Sequence, residues 1–188
     1  MTYLTSAPSL MALTLCATSA LSDTAGYTVM NFDTPHQADA IEGAVWYPAA
    51  PESKTEIVNQ NAVFFGVEVA QNAAPQPGQH PIIMLSHGMG GNYRSMTWLG
   101  AGLAQRGAIV VAVNHPASST WDFDIKAGLN HWTRAQDLSA ALDQMLANPR
   151  FASVADEDRV MAAGFSYGGW TALSLGGLRA NVSAYSEH

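Results

Sequence analysis

The sequence predicts an α/β fold, in which strands and helices alternate around a mostly parallel sheet flanked by helices. Two continuous apolar runs, residues 81–85 and 108–113, have the length and composition of parallel strands that are buried on both faces. A helix is predicted over residues 132–148, where apolar residues recur at helical spacing. The other face of this helix carries polar residues, among them Arg134 and Asp137. Each strand is followed by a loop and a helical stretch, so we expect right-handed crossovers.

The remaining elements are predicted from the same periodicities. Residues 61–69 form either a short strand or an extended loop, and a helix within residues 94–105 ends at Gly107. Strands are expected at three further segments, residues 26–32, 44–47 and 160–163.

Composition excludes several classes of protein. A chain of 188 residues with 48% apolar residues can bury the core of one domain. The net charge is −7, with eight Lys and Arg, and it argues against a nucleic-acid or anionic-membrane partner. Cys16 is the only cysteine, so neither an intrachain disulfide nor a multi-cysteine zinc site is expected. No metal or other cofactor is implied, and the oligomeric state is not set by the sequence.

The first residues are expected to lie outside the folded domain. Residues 1–23 contain an apolar run of the length of a signal-peptide core, and Ala20 and Ser22 would form a small-x-small cleavage site. The run is too short to span a membrane. We therefore expect a signal peptide or a disordered start at residues 1–23, a folded domain at residues 24–188, and export to the periplasm or beyond.

Ser166 is the candidate nucleophile. It stands in a Gly-x-Ser-x-Gly pattern between Gly164 and Gly168. An apolar strand enters the pattern and a helix-competent segment, residues 170–175, leaves it, which is the setting of a nucleophile elbow. The turn is so tight that the residues two before and two after the serine must lack side chains. The alternative is a tight turn with a structural role alone.

A second glycine-rich loop, residues 86–91, follows the strand at residues 81–85. It has the sequence Ser-His-Gly-Met-Gly-Gly and resembles the His-Gly oxyanion loop of esterases. The backbone amides of Met89 and Tyr167 are the candidate oxyanion donors. His87 is expected to brace this loop by hydrogen bonding rather than to act in the chemistry. The alternative is a glycine turn that joins a strand to a helix.

Several motifs in order resemble one family: residues 45–48, 81–91, 113–116 and 158–160, Arg134 with Asp137, and the elbow. From residue 26 to residue 177 the chain resembles the predicted dienelactone hydrolases of the α/β-hydrolase superfamily, which are similar to platelet-activating-factor acetylhydrolases. The resemblance implies that Ser166 is the nucleophile and that Met89 and Tyr167 form the oxyanion hole. Phe165 replaces the usual histidine. Strict dienelactone hydrolases use cysteine at the elbow, so this chain implies a serine esterase acting on a small ester or lactone.

The acid and the base of a catalytic triad are not apparent. In α/β-hydrolases they follow the serine in the chain, but no aspartate follows Ser166. Glu187 and His188 are adjacent, and adjacent residues in a tail are poorly placed to reach both Ser166 Oγ and each other. We therefore expect the N-terminal part only of an α/β-hydrolase fold, with the C-terminal strands missing, an exposed edge at the strand near Val160 and no activity as it stands.

The upstream histidines are weaker candidates. His115 follows a strand at the sheet edge that carries Ser166, so it is expected to line the substrate pocket and is a remote candidate for the base. His36 and His80 lie in turn-rich segments and are expected to be solvated. His131 precedes a helix and is expected to cap it or pack against it.

Residues 118–130 form a long loop that would cover the site as a lid. Its charged residues, Asp122 and Asp124, are expected to be solvated. Three large aromatic residues, Trp121, Phe123 and Trp132, would form the apolar groove of a lipase or polyester hydrolase, or would pack within the lid. A non-catalytic α/β binding module is the alternative of a different class.

Overall fold

A computed structural model describes residues 22–179 and 181. The predicted signal segment, Glu187 and His188 therefore lie outside the described residues, apart from Ser22 and Asp23. The described strands are β1 (Ala25–Phe32), β2 (Ile41–Pro48), β3 (Glu56–Val58), β4 (Val67–Gln71), β5 (His80–Ser86), β6 (Ile109–Val113), β7 (Ser118–Ser119), β8 (Asp122–Phe123) and β9 (Ala155–Gly164). Seven of them form one sheet in the order β3-β4-β1-β2-β6-β5-β9, and β7 and β8 form a separate hairpin.

Four α-helices connect the strands. They are α1 (Thr97–Ala104), α2 (Ile125–Gly128), α3 (His131–Ala147) and α4 (Tyr167–Leu175). A 3-10 helix at Tyr93–Met96 precedes α1, so the first residues of the helix predicted within residues 94–105 form a 3-10 turn instead. None of the helices in the described part of the chain has both the length and the apolar character that a membrane crossing requires.

The parallel part of the sheet positions the candidate site. β5 pairs in parallel with β6 on one side and with β9 on the other, and Ser86 lies opposite Gly164. The C-terminal ends of β5 and β9 are therefore neighbours, which brings the two glycine-rich loops together. β1, β2 and β6 are joined by antiparallel pairings and extend the sheet away from the site.

Both faces of the sheet are covered by apolar side chains. On one face Trp46 and Val110 pack with residues of α1 such as Ala101. On the other face Val111 packs with Leu138 of α3. The β5 and β6 residues between these layers are fully or almost fully buried, which explains the continuous apolar runs in the sequence.

β9 is exposed along much of its length. Residues 157–162 are all exposed, and Met161 and Phe165 have 51% and 69% of their surface accessible. The strand pairs with β5 alone among the described strands, so its outer edge has no partner in the described part of the chain. It is also longer than the four residues predicted from the sequence, because its first half is polar.

Candidate active site

The turn at Ser166 has the backbone that a nucleophile elbow requires. Ser166 has φ 53° and ψ −119°, a conformation that residues with a side chain rarely adopt. A Cβ atom at Gly164 would lie 2.1 Å from the carbonyl oxygen of Gly168, and one at Gly168 would lie 2.0 Å from that of Ser86. Any side chain at these glycines would collide with backbone, so the two positions are restricted to glycine.

Ser166 is exposed and faces the loop at residues 86–91. A Cβ atom at Gly88 would lie 3.3 Å from the Cβ atom of Ser166. Ser166 also immediately precedes α4, whose N-terminal dipole favours negative charge at this point. Its Oγ makes no hydrogen bond with any residue in the described ranges. The structure thus presents an accessible hydroxyl without a contacting base among those residues.

The loop after β5 is held in place by the β7–β8 hairpin. Gly90 N donates to the Ser118 carbonyl oxygen at 2.8 Å, and Thr120 N donates to the Gly91 carbonyl oxygen at 2.9 Å. The Thr120 hydroxyl donates to the Gly90 carbonyl oxygen at 2.9 Å. Gly90 has φ +72°, so its backbone conformation favours glycine. The hairpin, which the sequence did not predict, is therefore part of the wall of the site.

The two predicted oxyanion donors lie on these two segments. Met89 N donates to no acceptor of residues 22–179 or 181. Tyr167 is the first residue of α4, and an amide in the first turn of a helix has no acceptor within that helix. Both amides are therefore available to an oxygen placed between the loop and the elbow.

His87 braces the loop. Its Nδ1 is 2.7 Å from the Gly88 carbonyl oxygen, and its Nε2 accepts from the His115 backbone N–H at 3.3 Å. This pattern requires a neutral ring that carries its proton on Nδ1. Burial, with a further contribution from His115, lowers the pKa of His87 to about 3. These contacts agree with the bracing role expected from the sequence.

His115 belongs to a buried chain of polar side chains. Its Nδ1 donates to Asp137 Oδ2 at 2.8 Å, and its Nε2 is 3.0 Å from Ser86 Oγ. Its side chain has no exposed surface, so in this structure it does not line an open cavity, contrary to the expectation from the sequence. Burial lowers the pKa of His115 to about 4, although the Asp137 carboxylate acts in the opposite direction. A hydrogen-bonded series of serine, histidine and aspartate is thus present, but its three residues are buried.

Asp137 and Arg134 are buried rather than on an exposed face of α3. Burial acts to raise the pKa of Asp137, but hydrogen bonds from His115, Gln37 and His36 hold it below its usual value. Arg134 is 1% exposed and donates to partners on several elements. From the sequence, both residues were placed on the polar face of this helix and were part of the family resemblance. A pair of charges three residues apart in an amphipathic helix gave no signal that it would be buried.

Three further histidines differ in how far they match the sequence expectations. His80 is 2% exposed, and its ring nitrogens lie 3.0 Å from the carbonyl oxygens of Gly107 and Gln76, so it is not solvated. His36 is exposed, as expected, and its Nε2 also lies 2.7 Å from Asp137 Oδ1. His131 packs its ring on Trp170 at 5.6 Å, in agreement with a packing role.

The charged residues of the predicted lid have structural partners. Asp124 caps α2 by accepting from the backbone N–H groups of Lys126 and Ala127. Asp122 accepts from the Ala117 backbone N–H at 2.8 Å. Both carboxylates therefore shape the segment, whereas the sequence indicated only solvation.

Two hollows and two exposed aromatic rings lie near the predicted lid and the elbow. Neither hollow is lined by Ser166 or by residues 86–91. A cleft of about 390 Å³ is lined by Glu42, Asn114 and Trp121, and the Trp121 ring lies 5.2 Å from the Arg94 guanidinium. The Phe123 ring, 54% exposed, is 3.7 Å from the position of a Cβ atom at Gly90. A second, apolar hollow of about 520 Å³ lies beside the elbow between α1 and β9.

The residues in the described ranges form no cluster of three or more side chains that could hold a metal ion. The chemistry that the site offers is that of the exposed hydroxyl and the two free amides.

The geometry agrees with two overlapping family matches. The family described as platelet-activating factor acetylhydrolase, isoform II, matches residues 49–137, and the prolyl oligopeptidase family matches residues 94–182. A ferulic acid esterase from Streptomyces cinnamoneus superposes with a TM-score of 0.69 and 24% identity, over 84% of this chain and 57% of the esterase. The chain has the α/β-hydrolase fold, and its sequence is similar to both of these families. Both the fold class and the family resemblance indicated by the sequence are thereby confirmed.

Other similar proteins are also longer than the chain. Lipase 1 of Moraxella sp. (strain TA144) is 37% identical over 90 residues, which are 48% of this chain and 25% of the lipase. A dienelactone hydrolase-like promiscuous phosphotriesterase from metagenomic libraries has a TM-score of 0.50 and 19% identity, over 79% of this chain and 53% of that protein. The chain thus spans a quarter to somewhat more than half of these relatives.

Proposed function

We propose that this α/β-hydrolase cleaves carboxylic esters or lactones through an acyl-enzyme at Ser166. The observation that carries the proposal is the strained, exposed Ser166 facing a glycine-rich loop with a free Met89 amide. Ser166 Oγ attacks the ester carbonyl carbon, and its proton passes to a general base. The carbonyl oxygen becomes negative and accepts hydrogen bonds from Met89 and Tyr167. The alcohol leaves with a proton from the base, and water then releases the acid.

The comparisons support an ester substrate. The relatives include a ferulic acid esterase and a lipase, and the family matches include the platelet-activating factor acetylhydrolases. We infer a small-molecule ester or lactone from these similarities. A lipase or polyester hydrolase is the alternative within the same chemistry.

The general base comes from outside the described residues in this proposal. Ser166 Oγ has no hydrogen-bond partner among them, and His115 is held in the interior by Ser86 and Asp137. The chain spans 57% of the ferulic acid esterase, and the outer edge of β9 has no partner among the described strands, so a further parallel strand would fit there. We propose that the described residues supply the nucleophile and the oxyanion hole, and that the remaining part of the hydrolase domain supplies the histidine and the acid.

The first experiment is an intact-mass measurement of the native protein from its source. The calculated mass of this chain is 19.9 kDa, and signal removal would reduce it slightly. A substantially heavier protein is expected, and its rate with p-nitrophenyl esters then tests the activity. Export, which we propose from residues 1–23, is tested by the N-terminal sequence of the same sample.

The role of Ser166 is tested in the protein of native mass. Ser166→Ala should abolish both ester hydrolysis and covalent labelling by a fluorophosphonate, because both require the Oγ nucleophile. Ser153→Ala, in the exposed segment before β9 and at the opposite end of that strand from the elbow, is the matched control and should retain both. Labelling at another residue, or full activity of Ser166→Ala, would overturn the proposal. Binding of an ester without turnover in the native protein would favour the non-catalytic binding module.

A further inference from the structure

The side chain of Arg134 links several segments of the proposed active site. Its Nε donates to Thr171 Oγ1 of α4 at 2.9 Å. One terminal nitrogen donates to Ser118 Oγ of the hairpin. The other donates to Ser86 Oγ at 3.0 Å and to the His87 carbonyl oxygen. These contacts use the planar fork of the guanidinium, which a lysine ammonium cannot reproduce.

Two of the linked segments carry the proposed oxyanion donors. The His87 carbonyl group lies two residues before Met89 in the same loop. Thr171 lies one helical turn after Tyr167, and its hydroxyl also donates to the Tyr167 carbonyl oxygen at 3.2 Å. The Arg134 guanidinium carbon is 4.9 Å from the centre of the Tyr167 ring. One rigid cation therefore contacts both sides of the proposed oxyanion hole.

The hydrogen bonds of Arg134 offset part of the cost of burying its charge. Burial lowers the pKa of Arg134 to about 10, and Tyr167 and Asp137 act in the opposite direction, so the side chain is still protonated at neutral pH. An unpaired charge in the protein interior is costly, and it persists only when hydrogen bonds and an opposite charge surround it. Asp137, one turn further along α3, supplies the negative charge.

Ser86 is fixed from its other side by the buried histidine. Ser86 Oγ accepts from Arg134, so its own proton is donated to His115 Nε2. The Asp137 carboxylate accepts from His115 Nδ1 and thereby fixes the tautomer. The connectivity is that of a catalytic triad, but neither Ser86 nor His115 has exposed surface. This series of hydrogen bonds orients Ser86 Oγ as an acceptor for Arg134.

We propose that Arg134 is a positioning residue of the oxyanion hole, because its guanidinium fixes the separation of the Met89 and Tyr167 backbone amides. The kinetic consequence rests on the function proposed above. Oxyanion donors contribute to catalysis only when they are held at the position of the developing charge. A substitution that loosens them should therefore reduce kcat and leave KM almost unchanged.

The kinetic test compares Arg134→Lys with Arg150→Lys in the protein of native mass. Arg150 is a suitable control because it also donates to side chains, Thr28 and Tyr47, but away from the elbow. Arg134→Lys should lower kcat for p-nitrophenyl acetate by about 100-fold, with KM within about twofold of the wild-type value. A folded Arg134→Lys variant with unchanged kcat, or with a change confined to KM, would contradict the proposal.

Chemical rescue separates positioning from general damage to the fold. Free guanidinium, well below denaturing concentrations, should restore part of the kcat lost in Arg134→Ala, because it can occupy the vacated site. Methylammonium carries the same charge without the planar fork and should restore much less. Equal rescue by both cations would show that charge alone matters and would overturn the proposal.

A measurement without turnover distinguishes failure of this inference from failure of the proposed function. In ¹⁵N-labelled protein, Arg134→Lys should move the amide signals of Met89 and Tyr167, whereas Arg150→Lys should move neither. If Arg134 variants do not fold, Thr171→Val keeps the test decisive. It removes the acceptor of Arg134 Nε and also the donor to the Tyr167 carbonyl oxygen, so the signal of Met89, on the other side of Arg134, is the one to follow. If the wild type hydrolyses no ester, the proposed function fails, but these signals still decide the role of Arg134. Unmoved signals in folded variants would refute it.

Discussion

Gly168 and Ser86 are in backbone contact across the two loops of the site. A Cβ atom at Gly168 would lie 2.0 Å from the Ser86 carbonyl oxygen and 2.8 Å from that of His87. The helix that follows the elbow therefore packs directly on the end of β5, without an intervening side chain. This contact sets how closely Ser166 approaches the oxyanion loop.

The first prediction concerns this contact. Gly168→Ala should lower the free energy of unfolding by about 2 kcal/mol or more, because backbone must move to admit the methyl group. Gly169→Ala is the matched control: its Cβ atom would lie 3.6 Å from the Gly164 carbonyl oxygen, in ordinary contact. Alanine in this helix should be neutral or stabilising by up to about 1 kcal/mol. Equal urea midpoints for the two variants would contradict the close packing.

The second prediction concerns the backbone strain at Ser166. With φ 53°, Ser166→Gly should give a free energy of unfolding about 1 kcal/mol higher than Ser166→Ala, because glycine adopts this conformation without a steric cost. Both variants lack the hydroxyl, so the comparison isolates the backbone. At Ala172 within α4 the sign should reverse, and Ala172→Gly should cost about 1 kcal/mol. Urea denaturation of the three variants checks both signs.

The third prediction follows from the two buried neutral histidines. Burial lowers the pKa of His115 from 6.5 to about 4 and that of His87 to about 3. The unfolded chain therefore binds more protons than the folded protein below pH 6.5. Their stabilisation is fully present above pH 6.5 and is lost as the pH falls toward the folded-state pKa values, by about 1.4 kcal/mol per pH unit for each histidine.

His87→Gln provides the check on that slope. Urea denaturation between pH 7 and pH 4.5 should show a shallower loss of stability than in the wild type, by about one proton. The lowered pKa of Asp137 adds stability that is lost only below its usual value of 3.8, outside this range. An unchanged slope in His87→Gln would mean that this ring is not buried in its neutral form.

The parallel strands and the elbow could be predicted because their signals are local. The runs that became β5 and β6 are apolar throughout, since both faces of the sheet are covered. Gly164 is required by a contact within the turn itself, with the Gly168 carbonyl oxygen, although Gly168 is also required by its contact with Ser86. β9 was predicted too short because its first half contains exposed charged residues, 157–159, which lie at a register shift in its pairing with β5.

The polar interior could not be predicted, because it depends on partners far apart in the sequence. Arg134 donates to Ser86 and Thr171, which are 48 and 37 residues away. His80 is buried and lies 3.0 Å from the carbonyl oxygen of Gly107. The sequence around His80 shows no periodicity that would indicate this contact. Backbone hydrogen bonds to Gly90 and Gly91 hold the hairpin at residues 118–123 in place. Such bonds do not depend on the side chains, so the sequence pattern does not indicate them.

The last prediction concerns Phe123, whose ring is exposed beside the oxyanion loop. The ring lies next to Gly90, and the adjacent Met89 supplies one of the proposed oxyanion donors. An ester bound at these donors is therefore expected to contact the ring. Loss of one aromatic contact corresponds to about 1 kcal/mol, so Phe123→Ala should raise KM for aryl esters about fivefold with kcat nearly unchanged. KM for acetate esters of small alcohols should change much less, because they offer less surface to the ring.

Phe65→Ala is the control for this substitution, since Phe65 is 94% exposed and lies between β3 and β4. Steady-state kinetics with p-nitrophenyl and methyl esters in the protein of native mass would separate the two variants. A fall in kcat in Phe123→Ala would indicate that the ring supports the oxyanion loop instead of contacting substrate. Identical KM values for Phe123→Ala and Phe65→Ala would show that the bound ester lies away from the hairpin, on the side of the apolar hollow between α1 and β9.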